Sequence, residues 1–314
     1  MADTKKRLFT GLQPSGSLHI GNYFGALKPL KDIYEEYDGL LSVVDLHALT
    51  TVRDGAVLRQ NTIDVVKDYL AAGIDPEKII IFKQSDVQEH TELAWIFECL
   101  VTVPFLMQAH AYKDKVAKGI EATAGLFNYP MLMAADILLY NAEVVPVGED
   151  QRQHIEYSRE AATKFNNAYG ETFAMPQERI LKAVGVVPGT DGQKMSKSYK
   201  NTIPLFGTET EVKKAVMSIV TDSDGDHPEH VYAIHALFRS EDELAPIYEE
   251  HKGRYGDLKK LLLEDIEAMI GPMREKRATI SDDDVADVLA TGAAKAHARA
   301  AAKMQEIHEK VGLS

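Results

Sequence analysis

Two short runs carry the residue types of phosphate chemistry. The first is Pro14-Ser15-Gly16-Ser17-Leu18-His19-Ile20-Gly21-Asn22. It follows the strand-like run Arg7-Leu8-Phe9-Thr10-Gly11 and opens a helix. In an open α/β sheet, ligands bind beyond the carboxyl ends of the strands. A helix N-terminus placed there offers backbone N–H groups and a positive dipole to phosphate. Gly16 and Gly21 let the backbone approach a ligand closely, and His19 and Asn22 add side-chain donors. The second run is Asp191-Gly192-Gln193-Lys194-Met195-Ser196-Lys197-Ser198. Lys194 and Lys197 are point charges on flexible stems, and Ser196 and Ser198 are short donors. Such a loop suits a leaving pyrophosphate, whose charge builds in the transition state. Taken singly, each run has a plainer alternative: a capped turn with a surface histidine, and a solvated basic loop.

The elements that must position these runs follow from periodicity. Leu40-Leu41-Ser42-Val43-Val44 and Ile79-Ile80-Ile81-Phe82 are continuous apolar runs, as expected of strands covered on both faces. Helical patterns are expected over 21–37, 57–72, 91–101, 131–140 and 151–165, with a further strand over 143–147. Strands separated by helices of this length predict right-handed βαβ units in a parallel sheet. Beyond residue 204 the strand signal fades, and 209–220, 241–251, 256–270 and 282–310 read as helices. The expected architecture is α/β: a Rossmann-type parallel-sheet catalytic domain over 1–204, including the lysine-rich loop 191–200, and a smaller all-helical C-terminal domain over 205–314.

Composition bounds the function class. The chain has 314 residues, 45% of them hydrophobic and 26% charged, which is ordinary for a soluble globular protein. No apolar run reaches membrane-spanning length. Cys99 is the single cysteine, so no intrachain disulfide or cysteine-rich zinc site can form, and a cytoplasmic location is expected. Its apolar surroundings predict a buried small hydrophobe. The acidic loop Thr221–Asp226 lacks the distal glutamate of a calcium loop and reads as a solvated turn. The net charge of −13 argues against a general nucleic-acid binder.

Together the two runs resemble the signatures of the class I aminoacyl-tRNA synthetases. The match at Lys194-Met195-Ser196-Lys197-Ser198 is complete, whereas the first signature ends in Asn22 where the family commonly has a second histidine. That variant is similar to the branch handling tryptophan and tyrosine. Gly11–Gly16, Val44–Ala48, Tyr129–Tyr140 and Val145–His154 extend the resemblance over nearly the whole chain, closest to the bacterial tryptophanyl type.

An indole needs apolar walls and one acceptor for its N–H. Tyr129, Met133 and Asp136, spaced by four and three, share one helix face. The resemblance implies that Asp136 accepts the indole N–H, and that Phe9, Met133, Val145 and Val147 line the ring, with His47 beside them. It implies that Tyr129 and Gln151 hold the α-amino end. It also implies that Gln13, His19, Gly21, Asn22, Asp150, Lys194, Met195, Ser196 and Lys197 contact ATP, and that Lys115, Lys194, Lys197 and His19 serve the chemistry. The implied partners are tryptophan, ATP with Mg²⁺ bound through its phosphates, tRNA and a second copy of the chain. No protein metal site and no membrane are implied. Plain core packing would equally explain Met133 and Val145, and a carboxylate such as Asp136 could accept from a phenol as well. Phe9, without a hydroxyl, favours the indole. A tyrosyl enzyme of the same fold, a nucleotidylyltransferase sharing the first run, and a non-catalytic paralogue remain the rival readings. For tRNA, the candidate basic patches are Arg254, Lys259 and Lys260; Arg274, Lys276 and Arg277; and Lys295, Arg299 and Lys303.

Overall fold

The computed structural model describes residues 5–109, 112, 113, 117, 121–148, 152–180, 186–221 and 228–313. Five parallel strands form one sheet: β1 (Arg7–Leu12), β2 (Asp38–Val43), β3 (Ile79–Lys83), β4 (Val144–Val147) and β5 (Gln177–Ile180). Their order is β3-β2-β1-β4-β5. The chain therefore builds outward from β1 to β3 and then returns to lay β4 on the other side of β1. The cleft between β1 and β4 is the point where the winding direction reverses, the place where this architecture binds ligands.

Alternate residues of the central strands feed two separate cores. Leu8, Leu41 and Ile81 pack on one face, and Phe9, Leu40 and Phe82 on the other. This follows from the two-residue period of a strand. Both faces are covered by helices, which is why β2 and β3 read as unbroken apolar runs.

The expected strands and most helices form close to the expected bounds, with informative exceptions. The segment after the first signature is not one helix. It comprises α-helix at Ile20–Asn22, π-helix at Tyr23–Leu27, α-helix at Lys28–Lys31 and a 3₁₀ turn at Tyr34–Glu36. Pro29 lacks the N–H that would reach the Gly25 carbonyl, and its ring crowds that position. The ladder slips to the wider spacing, with Lys28 N–H donating to the Tyr23 carbonyl.

The helix expected from Met131 starts earlier, at Ala124–Leu138, and runs through Pro130. Thr123 caps it by accepting from the Leu126 N–H, and Tyr129 thereby joins Met133 and Asp136 on one rigid helix. β5 escaped the pattern because Gln177-Glu178-Arg179-Ile180 holds one apolar residue; it is an edge strand. Glu229–His235 forms a further helix that was not expected. Cys99 is exposed at the end of the helix Glu89–Glu98, not buried as its apolar neighbours suggested. The chain turns out of the helix at that residue.

After residue 205 the described chain is helical, ending in Tyr255–Thr279 and Asp282–Val311. The last helix returns to the sheet. A Cβ on Gly292 would lie 1.7 Å from the Ile81 carbonyl oxygen, so only glycine allows this contact. Arg299 clamps Asp38 at the start of β2 with two hydrogen bonds of 3.0 Å. Among the described residues no helix is long and apolar enough to cross a membrane.

Candidate active site

A cavity of about 580 Å³ opens at the β1/β4 cleft. Its walls include Phe9, Gln13, His47, Tyr129, Met133, Asp136, Val145 and Val147. The structure thus gathers every residue expected to hold the amino acid except Gln151, which lies outside the described residues. The π-helical stretch contributes Gly25 and Ala26, whose small side chains keep the cavity open. Phe9 is buried and stacks nearly parallel on Tyr140, with ring centroids 5.8 Å apart.

Among the described residues Asp136 is the one carboxylate in that lining, and it is almost fully buried. Burial alone would raise its pKa, but hydrogen bonds and charge from His47 and His90 more than offset it, so the carboxyl is held at about 2. His47 Nε2 approaches one oxygen at 2.9 Å. His90 Nδ1 lies 2.6 Å from the other oxygen, and Gln84 Nε2 donates to it at 2.7 Å. The other ring nitrogen of His90 meets the Tyr140 hydroxyl at 2.8 Å. Asp136 is therefore an ionised acceptor held rigidly at the edge of an apolar slot. At the far side, the Tyr129 hydroxyl meets His154 Nε2 at 2.6 Å.

His90, Gln84, Tyr140 and His154 had not been assigned roles from sequence. His90 sits at the start of an apolar helix, where a lone histidine carries no distinguishing spacing.

The two signature runs meet beside this cavity. Leu205 N–H donates to the Leu18 carbonyl at 2.9 Å, and Ile20 N–H to the Ile203 carbonyl at 3.0 Å. The first turn is thus stitched to the chain leaving the second loop. Lys197 Nζ donates to the Ser15 carbonyl at 2.8 Å. Burial lowers its pKa, with the Asp68 charge opposing. Buried Met195 packs towards Gly21, where a Cβ would come 3.4 Å from the Met195 Cβ and within 2.9 Å of the His19 ring. The Asn22 side chain accepts from the His19 N–H at 3.1 Å, so asparagine here secures the turn.

His19 is buried, and its Nδ1 has no partner. Burial, then the Lys197 charge, lowers its pKa to about 4, which leaves the imidazole neutral at pH 7. An unpartnered buried nitrogen costs on the order of 1–3 kcal/mol, which a ligand group can recover. Gly16 adopts φ +86°, a conformation that favours glycine.

Asn201 was likewise missed. Buried beneath the second loop, it accepts from the Ser196 N–H at 2.8 Å. Its amide donates to Asp191 at 2.7 Å and to the Lys194 carbonyl at 3.1 Å. This one side chain shapes the loop that presents Lys194, Ser196 and Lys197. Lys194 itself is exposed. Lys115, Asp150 and Gln151 lie outside the described residues, as does most of the acidic loop after Thr221.

The expected basic patches are largely committed inward. Buried Lys259 donates to the carbonyls of Met217 and Ile219. Arg277 pairs with Asp64 and Asp68, Arg299 with Asp38, Arg274 with Glu267, and Lys303 with Glu306.

Comparison with known proteins agrees with this arrangement. Residues 1–282 match the family described as tRNA synthetases class I (W and Y). The tryptophan–tRNA ligase of Fusobacterium nucleatum is 48% identical, covering 98% of each chain. That of Campylobacter jejuni is 46% identical over 98% of this chain and all of its own. The solved tryptophanyl-tRNA synthetase of Campylobacter jejuni, complexed with ADP and tryptophan, superposes with a TM-score of 0.91 at 44% identity, covering 98% of this chain and 99% of that one. With its Rossmann-type sheet, the cleft at the reversal point and both signature runs joined beside it, the chain belongs to the class I tRNA synthetases of the tryptophan and tyrosine group.

Proposed function

We propose that the protein is a tryptophan–tRNA ligase: it activates L-tryptophan with ATP and passes the tryptophanyl group to tRNA. The observation that carries the choice of amino acid is the environment of Asp136. A slot lined by Phe9, Met133, Val145 and Val147 fits a flat apolar ring, and the ionised carboxylate at its edge is an acceptor for one N–H. A phenol would bring both a donor and an oxygen that needs a donor. His47 Nε2, His90 Nδ1 and Gln84 Nε2 are already directed at Asp136, and the Phe9 ring has none to offer. A buried phenol oxygen left without a donor costs about 1–3 kcal/mol.

In the first step, a carboxylate oxygen of tryptophan attacks the α-phosphorus of ATP. The O–P bond forms as the bond to the β-phosphate breaks, giving tryptophanyl-adenylate and pyrophosphate. A hydroxyl of the terminal adenosine of tRNA then attacks the acyl carbon and AMP leaves. The protein supplies position and charge rather than a nucleophile. His19, with its open Nδ1, and Asn22 and Gly21 beside it hold ATP at the first turn, and Gln13 reaches the phosphates from the end of β1. Lys194 and Lys197, with Lys115, stabilise the departing pyrophosphate, assisted by Met195 and Ser196 of the same loop. Asp150 holds the ribose, and Tyr129 and Gln151 the α-amino group. Mg²⁺ arriving with the ATP would add positive charge beside these lysines.

We place anticodon recognition in the helices after residue 205 and the protein in the cytoplasm. We place a second copy of the chain on a groove lined by Leu49, Ala94, Trp95 and Leu132, where Leu49 and Trp95 are exposed. Amino-acid-dependent exchange of labelled pyrophosphate into ATP tests the proposal.

A further inference from the structure

We propose that Asp68, locked by Arg277, is a positioning residue for the nucleotide: the pair fixes the first signature turn in register with the loop that carries Lys197. The inference rests on the ATP reading above and adds residues outside both signatures.

Asp68 lies on the helix Gly55–Ala71, 1% exposed, behind the turn Ser17–His19. Its carboxylate lines the same recess as Ser17 and Leu18 of that turn; burial raises its pKa, opposed by Arg277 and then by the Leu18 N–H. Leu18 is the residue whose carbonyl accepts from Leu205, so the residue that shares this recess with Asp68 is also bonded to the exit of the second loop. Arg277 Nε donates to Asp68 at 2.5 Å, and its Nη2 donates to Asp64 at 2.7 Å. The same guanidinium lies over the Phe206 ring, 5.6 Å from its centroid, immediately after Leu205. Arg277 comes from the helix Tyr255–Thr279, far along the chain.

This ion pair, buried at Asp68 and partly exposed at Arg277, therefore lies against both segments of the junction between the two signature runs and links them to two helices. The negative charge of Asp68 is also felt by Lys197. A cavity of about 620 Å³ adjoins the junction, so the surrounding packing leaves room for the turn to shift if the pair is lost.

A buried pair can be a stability device alone, since breaking one leaves an uncompensated charge in the interior. Three forms of the full chain separate the cases: the parent, R277Q, and D68L/R277M. The last replaces the pair by apolar groups of similar size, a change that commonly restores stability, while removing the carboxylate beside the turn. Thermal midpoints are measured with ATP and tryptophan dissociation constants, each ligand titrated alone by calorimetry.

Both variants are expected to bind ATP about tenfold more weakly or worse, as displacement of a positioned group by about 1 Å allows. Tryptophan affinity stays within about twofold, and the midpoint of D68L/R277M recovers towards the parent. ATP affinity that recovers together with the midpoint would overturn the inference, as would parallel loss of both ligands. ATP titration needs no amino acid. A parent that binds ATP but not tryptophan would sink the substrate reading, while the ATP comparison would still decide this one.

Discussion

His90 Nδ1 lies 2.6 Å from Asp136 in the floor of the cavity, and both side chains are buried. The histidine is out of the ligand's reach but fixes the carboxylate that faces it. Replacing His90 by alanine removes one charge-assisted partner, worth about 1.5–3 kcal/mol. The tryptophan KM is expected to rise by about 10- to 100-fold while the ATP KM stays within about twofold. Steady-state exchange at varied concentrations of each substrate measures both. An unchanged tryptophan KM would show that Gln84 and His47 hold Asp136 without it.

Asn201 offers a second separation. Asn201→Ala removes the three hydrogen bonds that shape the Lys194–Ser198 loop, and loses the lysines' placement rather than their charge. The turnover number for exchange is expected to fall by about 100-fold with tryptophan binding preserved. Equal loss of tryptophan affinity in a binding titration would count against a role confined to the loop.

Gly292 has no room for a side chain. Gly292→Ala must push the helix Asp282–Val311 off β3, because the new methyl would sit 1.7 Å from the Ile81 oxygen. The expected destabilisation is about 1–3 kcal/mol or more, measured by denaturant midpoint. By contrast, Gly271→Ala, inside the helix Tyr255–Thr279 where a Cβ meets nothing within 4 Å, should raise the midpoint, since alanine favours a helix interior over glycine by about 1 kcal/mol.

Acid should act in two windows. His19 is held at about 4 against 6.5 for a free imidazole. The unfolded chain therefore binds this proton first, and stability falls as pH drops from about 6.5 towards 4. His19→Gln should flatten that part of the profile. Asp136 is held at about 2 against 3.8. Its contribution, on the order of 2 kcal/mol, is whole above about pH 4 and lost as pH falls through 2. Thermal midpoints across pH 7 to 4, parent against His19→Gln, test the first window; superimposable slopes would contradict it.

Much of this is legible in the sequence. The apolar runs of β2 and β3 announced strands buried on both faces, and the four-and-three spacing of Tyr129, Met133 and Asp136 announced one helix wall. The parts that were not legible depend on contacts between distant segments. β5 carries one apolar residue because it is an edge, so periodicity had nothing to detect. Pro29 and Pro130 have opposite outcomes, a slipped ladder and a tolerated passage, which local sequence does not distinguish. His90 reaches Asp136 from 46 positions away, and Arg277 reaches Asp68 from 209. Lys259 and Arg299 read as parts of candidate tRNA patches, whereas Lys259 is buried against backbone carbonyls and Arg299 is paired with Asp38.

The most direct test of the central claim is exchange of labelled pyrophosphate into ATP, with tryptophan and tyrosine compared in parallel on the full chain. The account predicts strong exchange with tryptophan, little with tyrosine, and collapse of the tryptophan signal in Lys197→Ala. Exchange driven by tyrosine would keep the chemistry and overturn the reading of Phe9 and Asp136. No exchange with either amino acid would contradict the proposed activity itself.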